Sequence, residues 1–220
     1  MAALCCCCVQ ASNEDEAAPF AKSGRFPKQE KVLEKGKKLV IRNVNVNEYD
    51  DKFAEIAEVY NHQVENYMAM KKCLYRLNEV HHCASLTSCM ERIQDKYSNY
   101  DIQVQMKGYN FTLLVKSTED IPDDLQESQE LMTEMNRATK VLLGSQTKLG
   151  GMVFSAGQME GEMRRKVKEV NPAYLDQIRL VENLEENMKN IDKAKLLSTE
   201  YEEEASEVLR EIAQIAGVTI

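Results

Sequence analysis

Between residues 131 and 170, Leu131, Met135, Ala138, Leu142, Ser145, Leu149, Met152, Ala156, Met159, Met163 and Val170 recur at alternating spacings of three and four, with Lys166 putting a charge in one slot. Such spacing is a helical seam held for about five heptads. At a rise of about 1.5 Å per residue the helix runs roughly 60 Å, longer than one compact core usually demands. Other helices must therefore cover it. Five glycines, Gly144, Gly150, Gly151, Gly157 and Gly161, fall inside the same stretch. Each costs about 1 kcal/mol relative to alanine in a helix, and the reading adopted is a bend or break near Gly150, with a hinge or a close helix crossing as the alternative.

The flanking stretches supply the cover. Tyr49, Phe53, Ile56, Tyr60, Val64, Tyr67, Met70, Leu74, Leu77 and Val80 fall on one helical stripe, with Asn47 as cap and Asp50 and Asp51 in the first turn. A second series, Leu86, Met90, Ile93, Tyr97, Tyr100 and Val104, follows a slip at residues 81–85 that kinks or splits the helix. Residues 109–115 suit either a helix or a strand, and helix is the reading adopted. Pro122 starts the central helix behind an acidic run of Glu119, Asp120, Asp123, Asp124, Glu127 and Glu130; Arg164, Arg165, Lys166 and Lys168 gather at its other end. Both clusters suit the helix dipole. Asn171 and Pro172 read as cap and first residue of a last helix, whose stripe runs Leu175, Ile178, Val181, Leu184, Met188, Ile191, Ala194, Leu197, Tyr201, Ala205, Val208, Ile212 and Ile215 before Gly217 closes it. The expected fold is all-α: an elongated antiparallel bundle of three long helices over residues 47–217, the first kinked or split, between a disordered tail at 1–46 and a short tail at 218–220.

Charge is unevenly spread. The net formal charge is −8, yet residues 1–42 hold eight Lys and Arg against five Asp and Glu, which leaves the remainder at −11. An acidic body argues against nucleic acid as partner. Cys5, Cys6, Cys7 and Cys8 stand in a row, and Lys22, Arg25, Lys28, Lys31, Lys35, Lys37, Lys38 and Arg42 follow, broken by Glu30 and Glu34. Four adjacent thiols cannot close on one metal without strain, but each can accept an acyl chain. Ala2 stands where N-myristoylation needs glycine. One lipid chain binds a bilayer marginally, and a second chain or a polybasic patch makes attachment stable. The expectation is S-acylation at Cys5 to Cys8, with Lys28, Lys31, Lys35, Lys37, Lys38 and Arg42 on an anionic membrane surface. No basic, apolar leader and no run of about 18 apolar residues is present, so the expected place is cytoplasmic and peripheral on a membrane, with the cysteines reduced.

Catalytic signals are weak. His62, His81 and His82 with Cys73, Cys83 and Cys89 lack the spacing of a zinc knuckle and read as packing or surface residues. Glu200, Glu202, Glu203, Glu204 and Glu207 read as a solvated face. No metal and no cofactor is expected. Val218, Thr219 and Ile220 place apolar residues last and third-last, which a PDZ groove accepts by strand addition. Asn136, Arg137, Ala138, Thr139, Lys140, Val141 and Leu142 resemble the end of a SNAP-type SNARE motif, but Gly150 and Glu160 interrupt the layers beyond, and no SNARE function is carried over. In shape alone, three long helices look like BAR and spectrin-repeat architectures. The expected function is a non-enzymatic, membrane-tethered helical adaptor or scaffold that binds protein partners through helix faces. The alternatives are a structural coiled-coil subunit, a homo- or hetero-oligomer that completes its seam with a partner chain, and a membrane-shaping helical module.

Overall fold

The computed structural model describes residues 33–117, 120–171 and 173–219. In chain order these form α1 (Asn47–His81), α2 (Leu86–Lys96), β1 (Asp101–Lys107), β2 (Asn110–Lys116), α3 (Asp123–Val170) and α4 (Tyr174–Ile215). The protein is predominantly α-helical, with one small hairpin. Cross-helix pairs set the directions. Arg76 meets Glu127 and Lys166 meets Glu48, so α1 and α3 are antiparallel. Arg164 meets Glu185 and Gln146 meets Thr199, so α3 and α4 are antiparallel too. Consequently α1 and α4 run side by side in the same direction, with Tyr60 beside Tyr201.

The seam of α3 is covered by the chain's own helices. Met135, Ala138, Leu142, Leu149, Ala156 and Met163 are buried as expected, and so are Leu125, Met132, Thr139, Val153 and Val167. The buried stripe is thus turned toward the row one residue later than the expected Leu131, Met152 and Met159, which are only half-buried. Apolar spacing alone misjudged the row because Thr139 and Gln146 sit in it. The helix passes through all five glycines without a break. A Cβ at Gly144, Gly150, Gly151, Gly157 or Gly161 would meet no neighbouring atom within 4 Å, so no close crossing explains them either.

The slip after α1 is a true break. His82 is left-handed at φ 50°, and Ser85 begins α2 with a capping box shared with Ser88. Cys83 and Cys89 are joined across the break by a disulfide, Cα atoms 5.3 Å apart, which corrects their reading as reduced packing or surface residues. Val104 and residues 110–115 are strand, not helix, and Tyr109 lies in the turn between the strands. Ile102 pairs with Val115, Val104 with Leu113 and Met106 with Phe111; this period-two alternation puts Ile102, Phe111 and Leu113 into the core. Gly108, at φ 58°, fills the first position of the two-residue turn, where glycine suits hairpins. The hairpin lies on α3: Gln129 donates to the Leu113 carbonyl at 3.1 Å and Asn136 accepts from Phe111 N at 3.1 Å.

Two expected caps also move. Val46, not Asn47, precedes α1. Asn171 donates to the Val167 carbonyl at 2.8 Å and so closes α3, while α4 starts after Ala173 with no side-chain cap. Pro172 lies outside the described residues.

Candidate functional site

Residues 33–46 were expected in the tail, yet they form an extended strap packed along α1 and α4. Leu33, Leu39, Val44 and Val46 are buried, while Val40 and Arg42 point out. An extended chain must satisfy its amides and carbonyls somewhere. Here side chains take the place of a neighbouring strand. The Asn61 carboxamide accepts from Leu39 N at 2.7 Å and donates to Leu39 O at 3.0 Å. Asn187 does the same for Arg42, at 2.9 and 2.7 Å. Asn183 donates to the Asn43 carbonyl at 2.8 Å, and the Tyr201 hydroxyl accepts from Gly36 N at 2.9 Å. Gly36 is left-handed at φ 76°, where a side chain would be strained.

Carboxylates on the helices hold the strap's cations. Lys35 lies 3.0 Å from Glu200 and 2.7 Å from Glu204. The Glu204 hydrogen bond holds the Lys35 ammonium well above the usual lysine range. Burial pushes the Glu204 carboxyl up, but hydrogen bonds from Lys35 and Lys71 outweigh it and hold the group below its ordinary value. Tyr67 also donates to Glu204, at 3.1 Å, and burial with that nearby charge pushes its phenol up to about 12. Lys38 pairs with Glu65 at 2.6 Å and Arg42 with Glu186 at 2.8 Å. Of the six basic residues expected at a membrane, Lys35, Lys38 and Arg42 are thus tied to the helical body. Lys37 is exposed. Lys28 and Lys31 lie outside the described residues, as do Cys5, Cys6, Cys7, Cys8 and Ile220.

At the α3–α4 end the strap borders a polar cleft of about 480 Å³, lined by Arg42, Asn43, Asn45, Asp176, Arg179 and Asn183 among others. Asn45, left-handed at φ 60°, donates to Asn171 at 2.6 Å and fastens the strap to the end of α3. Beside the cleft, Leu175 was expected in the core stripe and is exposed, as are Val170 and Tyr174. No signal in the sequence joins Arg42 to Arg179, because the strap that brings them together resembles a linker.

Of the other candidates, His62 and His82 are exposed, while His81 and Cys73 lie inside the bundle. His81 is buried, and burial lowers its imidazole below the ordinary range. Ser128 donates its one proton to the Asp124 carbonyl at 2.7 Å, so His81 Nε2, 2.7 Å from the same hydroxyl, is the donor there. Nε2 therefore carries a proton in the neutral as well as the charged ring. Burial raises the Cys73 thiol, which makes it a poor nucleophile. Among the described residues, no group of three or more His, Cys, Asp or Glu is placed to hold a metal ion. No helix among them is long and apolar enough to cross a membrane. Past Gly217 (φ 66°), Val218 N bonds to the Ala213 carbonyl at 2.9 Å, so the start of the C-terminal tail closes α4. Comparison with family models, curated proteins and solved structures finds no match for this chain.

Proposed function

We propose that this protein is a non-enzymatic helical adaptor held on a membrane by acyl chains on Cys5, Cys6, Cys7 and Cys8. The observation that carries the reading is the run of four consecutive cysteines followed by a basic stretch. Two acyl chains suffice for stable attachment, and each cation near an anionic leaflet adds about 1 kcal/mol. The ion pairs of Lys35, Lys38 and Arg42 shift the basic contribution toward Lys28, Lys31 and Lys37. The structural-subunit alternative is less well supported, since α1 and α4 already cover the buried stripe of α3. The bundle supplies long, mixed-charge helix faces, which suit protein recognition better than chemistry.

The test is direct. Changing Cys5, Cys6, Cys7 and Cys8 together to Ser is expected to move the protein from the membrane fraction to the soluble fraction and to abolish acyl-exchange labelling. Unchanged fractionation of that variant would sink the tether.

A further inference from the structure

The break between α1 and α2 holds chemistry that the proposed function does not use. Its two cysteines differ in access: Cys83 is half-buried between the exposed His82 and Ala84, whereas Cys89 is fully covered. Both sulfurs face one acceptor, the Asn78 side-chain oxygen, at 3.6 Å from Cys83 and 3.3 Å from Cys89. A bridged sulfur carries no proton, so in the oxidised chain these are contacts and not hydrogen bonds. A carboxamide oxygen has two lone pairs and a thiol is a weak donor, so each reduced cysteine finds an acceptor already in reach. The corner also keeps other ties when the bridge opens. His82 N and Cys83 N both bond to the Asn78 carbonyl, Ser85 and Ser88 share the capping box, and Arg92 donates to the His81 carbonyl at 3.2 Å. From α4, Glu211 accepts from Thr87 N at 3.0 Å. The bridge spans a sequence separation of 6, and a short loop constrains the unfolded chain less than a long one. Cys73, the free cysteine among the described residues, is buried with its thiol raised, so it is a poor competitor for exchange.

We infer that Cys83 and Cys89 form a reversible thiol–disulfide site, opened by a soluble monothiol at Cys83, and that opening it loosens the α1–α2 corner while the bundle stays folded. The reductant's thiolate attacks Cys83 Sγ, the sulfur of the more accessible residue, and a new sulfur–sulfur bond forms there as the Cys83–Cys89 bond breaks. Cys89 leaves with the bonding pair, takes a proton from water and donates to Asn78. A second thiolate then attacks the reductant's sulfur in the mixed disulfide, and Cys83 leaves and is protonated in turn. Two electrons and two protons enter the protein, and the two reductant molecules leave as their own disulfide. That disulfide, in excess, runs the same steps backward. The site stands apart from the tether, since none of these steps involves Cys5 to Cys8.

The parent for the experiment is the full chain with Cys5→Ser, Cys6→Ser, Cys7→Ser and Cys8→Ser, which keeps Cys73, Cys83 and Cys89 as its only cysteines. It is equilibrated without denaturant in buffers of graded reduced-to-oxidised glutathione ratio, quenched in acid, and alkylated for mass measurement. The labelled thiols are expected to rise from one to three in a single step, and to return to one when the ratio is reversed. Helical circular dichroism should be the same in both states, and amide exchange over residues 82–96 several-fold faster in the reduced one. With Cys89→Ser added, oxidised glutathione is expected to form an adduct on Cys83; with Cys83→Ser instead, Cys89 should react far more slowly. A bridge that yields to glutathione only in urea marks a permanent cross-link and overturns the proposal. So does a bridge that never closes in oxidised glutathione, loss of helix on reduction, or equal exchange over residues 82–96 in the two states. Faster adduct formation at Cys89 than at Cys83 overturns the assigned point of attack.

Discussion

The two ends of the bundle are finished differently. At one, the last turn of α1, α2 and the start of α3 are bound together by the Cys83–Cys89 bridge, the Ser85–Ser88 capping box, the His81–Ser128 hydrogen bond and the Lys96–Asp124 ion pair, with the hairpin held to α3 by Gln129 and Asn136. At the other, α3 runs out to an exposed Val170 and α4 begins uncapped, with Tyr174 and Leu175 bare. The closed end carries interactions that stability depends on. The open end carries the strap's polar contacts and, beside them, apolar side chains that the fold leaves bare.

The sharpest way to break this contrast is to empty the closed end. Phe111→Ala removes a ring that is 2% exposed, and such truncations cost about 3–5 kcal/mol; Leu175→Ser at the open end should stay within about 0.5 kcal/mol, as surface changes do. Urea unfolding midpoints of the two variants check the pair. Equal losses would show that the open turn is part of the core.

A smaller effect is expected from pH, confined to the closed end. Burial, with Lys96 nearby, holds the His81 imidazole below its ordinary 6.5, although Asp124 and Glu127 pull the other way. As pH falls through about 6.5 the unfolded chain takes up a proton that the native site refuses, so stability declines from there down to the depressed native pKa and then levels off. His81→Gln keeps a donor for Ser128 and should flatten that decline when thermal midpoints at pH 7 and 5.5 are compared. A slope unchanged by the substitution would assign it to other groups.

The smallest effect lies in the half of α3 that leads to the open end. Gly151→Ala meets empty space and a helical backbone, so it should stabilise by about 0.4–1 kcal/mol, read as a rise in midpoint. A loss instead would reveal a bend that alanine cannot follow.

Long helices were legible in the sequence because apolar residues at three- and four-residue spacing leave few other solutions. Tyr49 to Leu77 and Leu184 to Ile212 are buried much as their spacing requires. The hairpin was hidden because Val104 also continues the spacing of Ile93, Tyr97 and Tyr100, and a seven-residue strand offers too few repeats to outvote it. The strap was hidden for another reason. Its lysines and glycine resemble a linker, and what orders it lies far along the chain: Tyr201 for Gly36 and Asn187 for Arg42. Spacing within a segment cannot report partners so distant, and the Arg42–Arg179 cleft went unseen with it.

That separation has a consequence for how the protein is made. Gly36 and Tyr201 are 165 positions apart, and Arg42 and Asn187 are 145 apart. Contacts at such separations form late, since the intervening loop must close before they can reward it. During synthesis the strap therefore precedes α4 and must wait for nearly the whole of that helix before it can settle. Until then Gly36, Arg42 and Asn43 lack the partners that Tyr201, Asn187 and Asn183 supply.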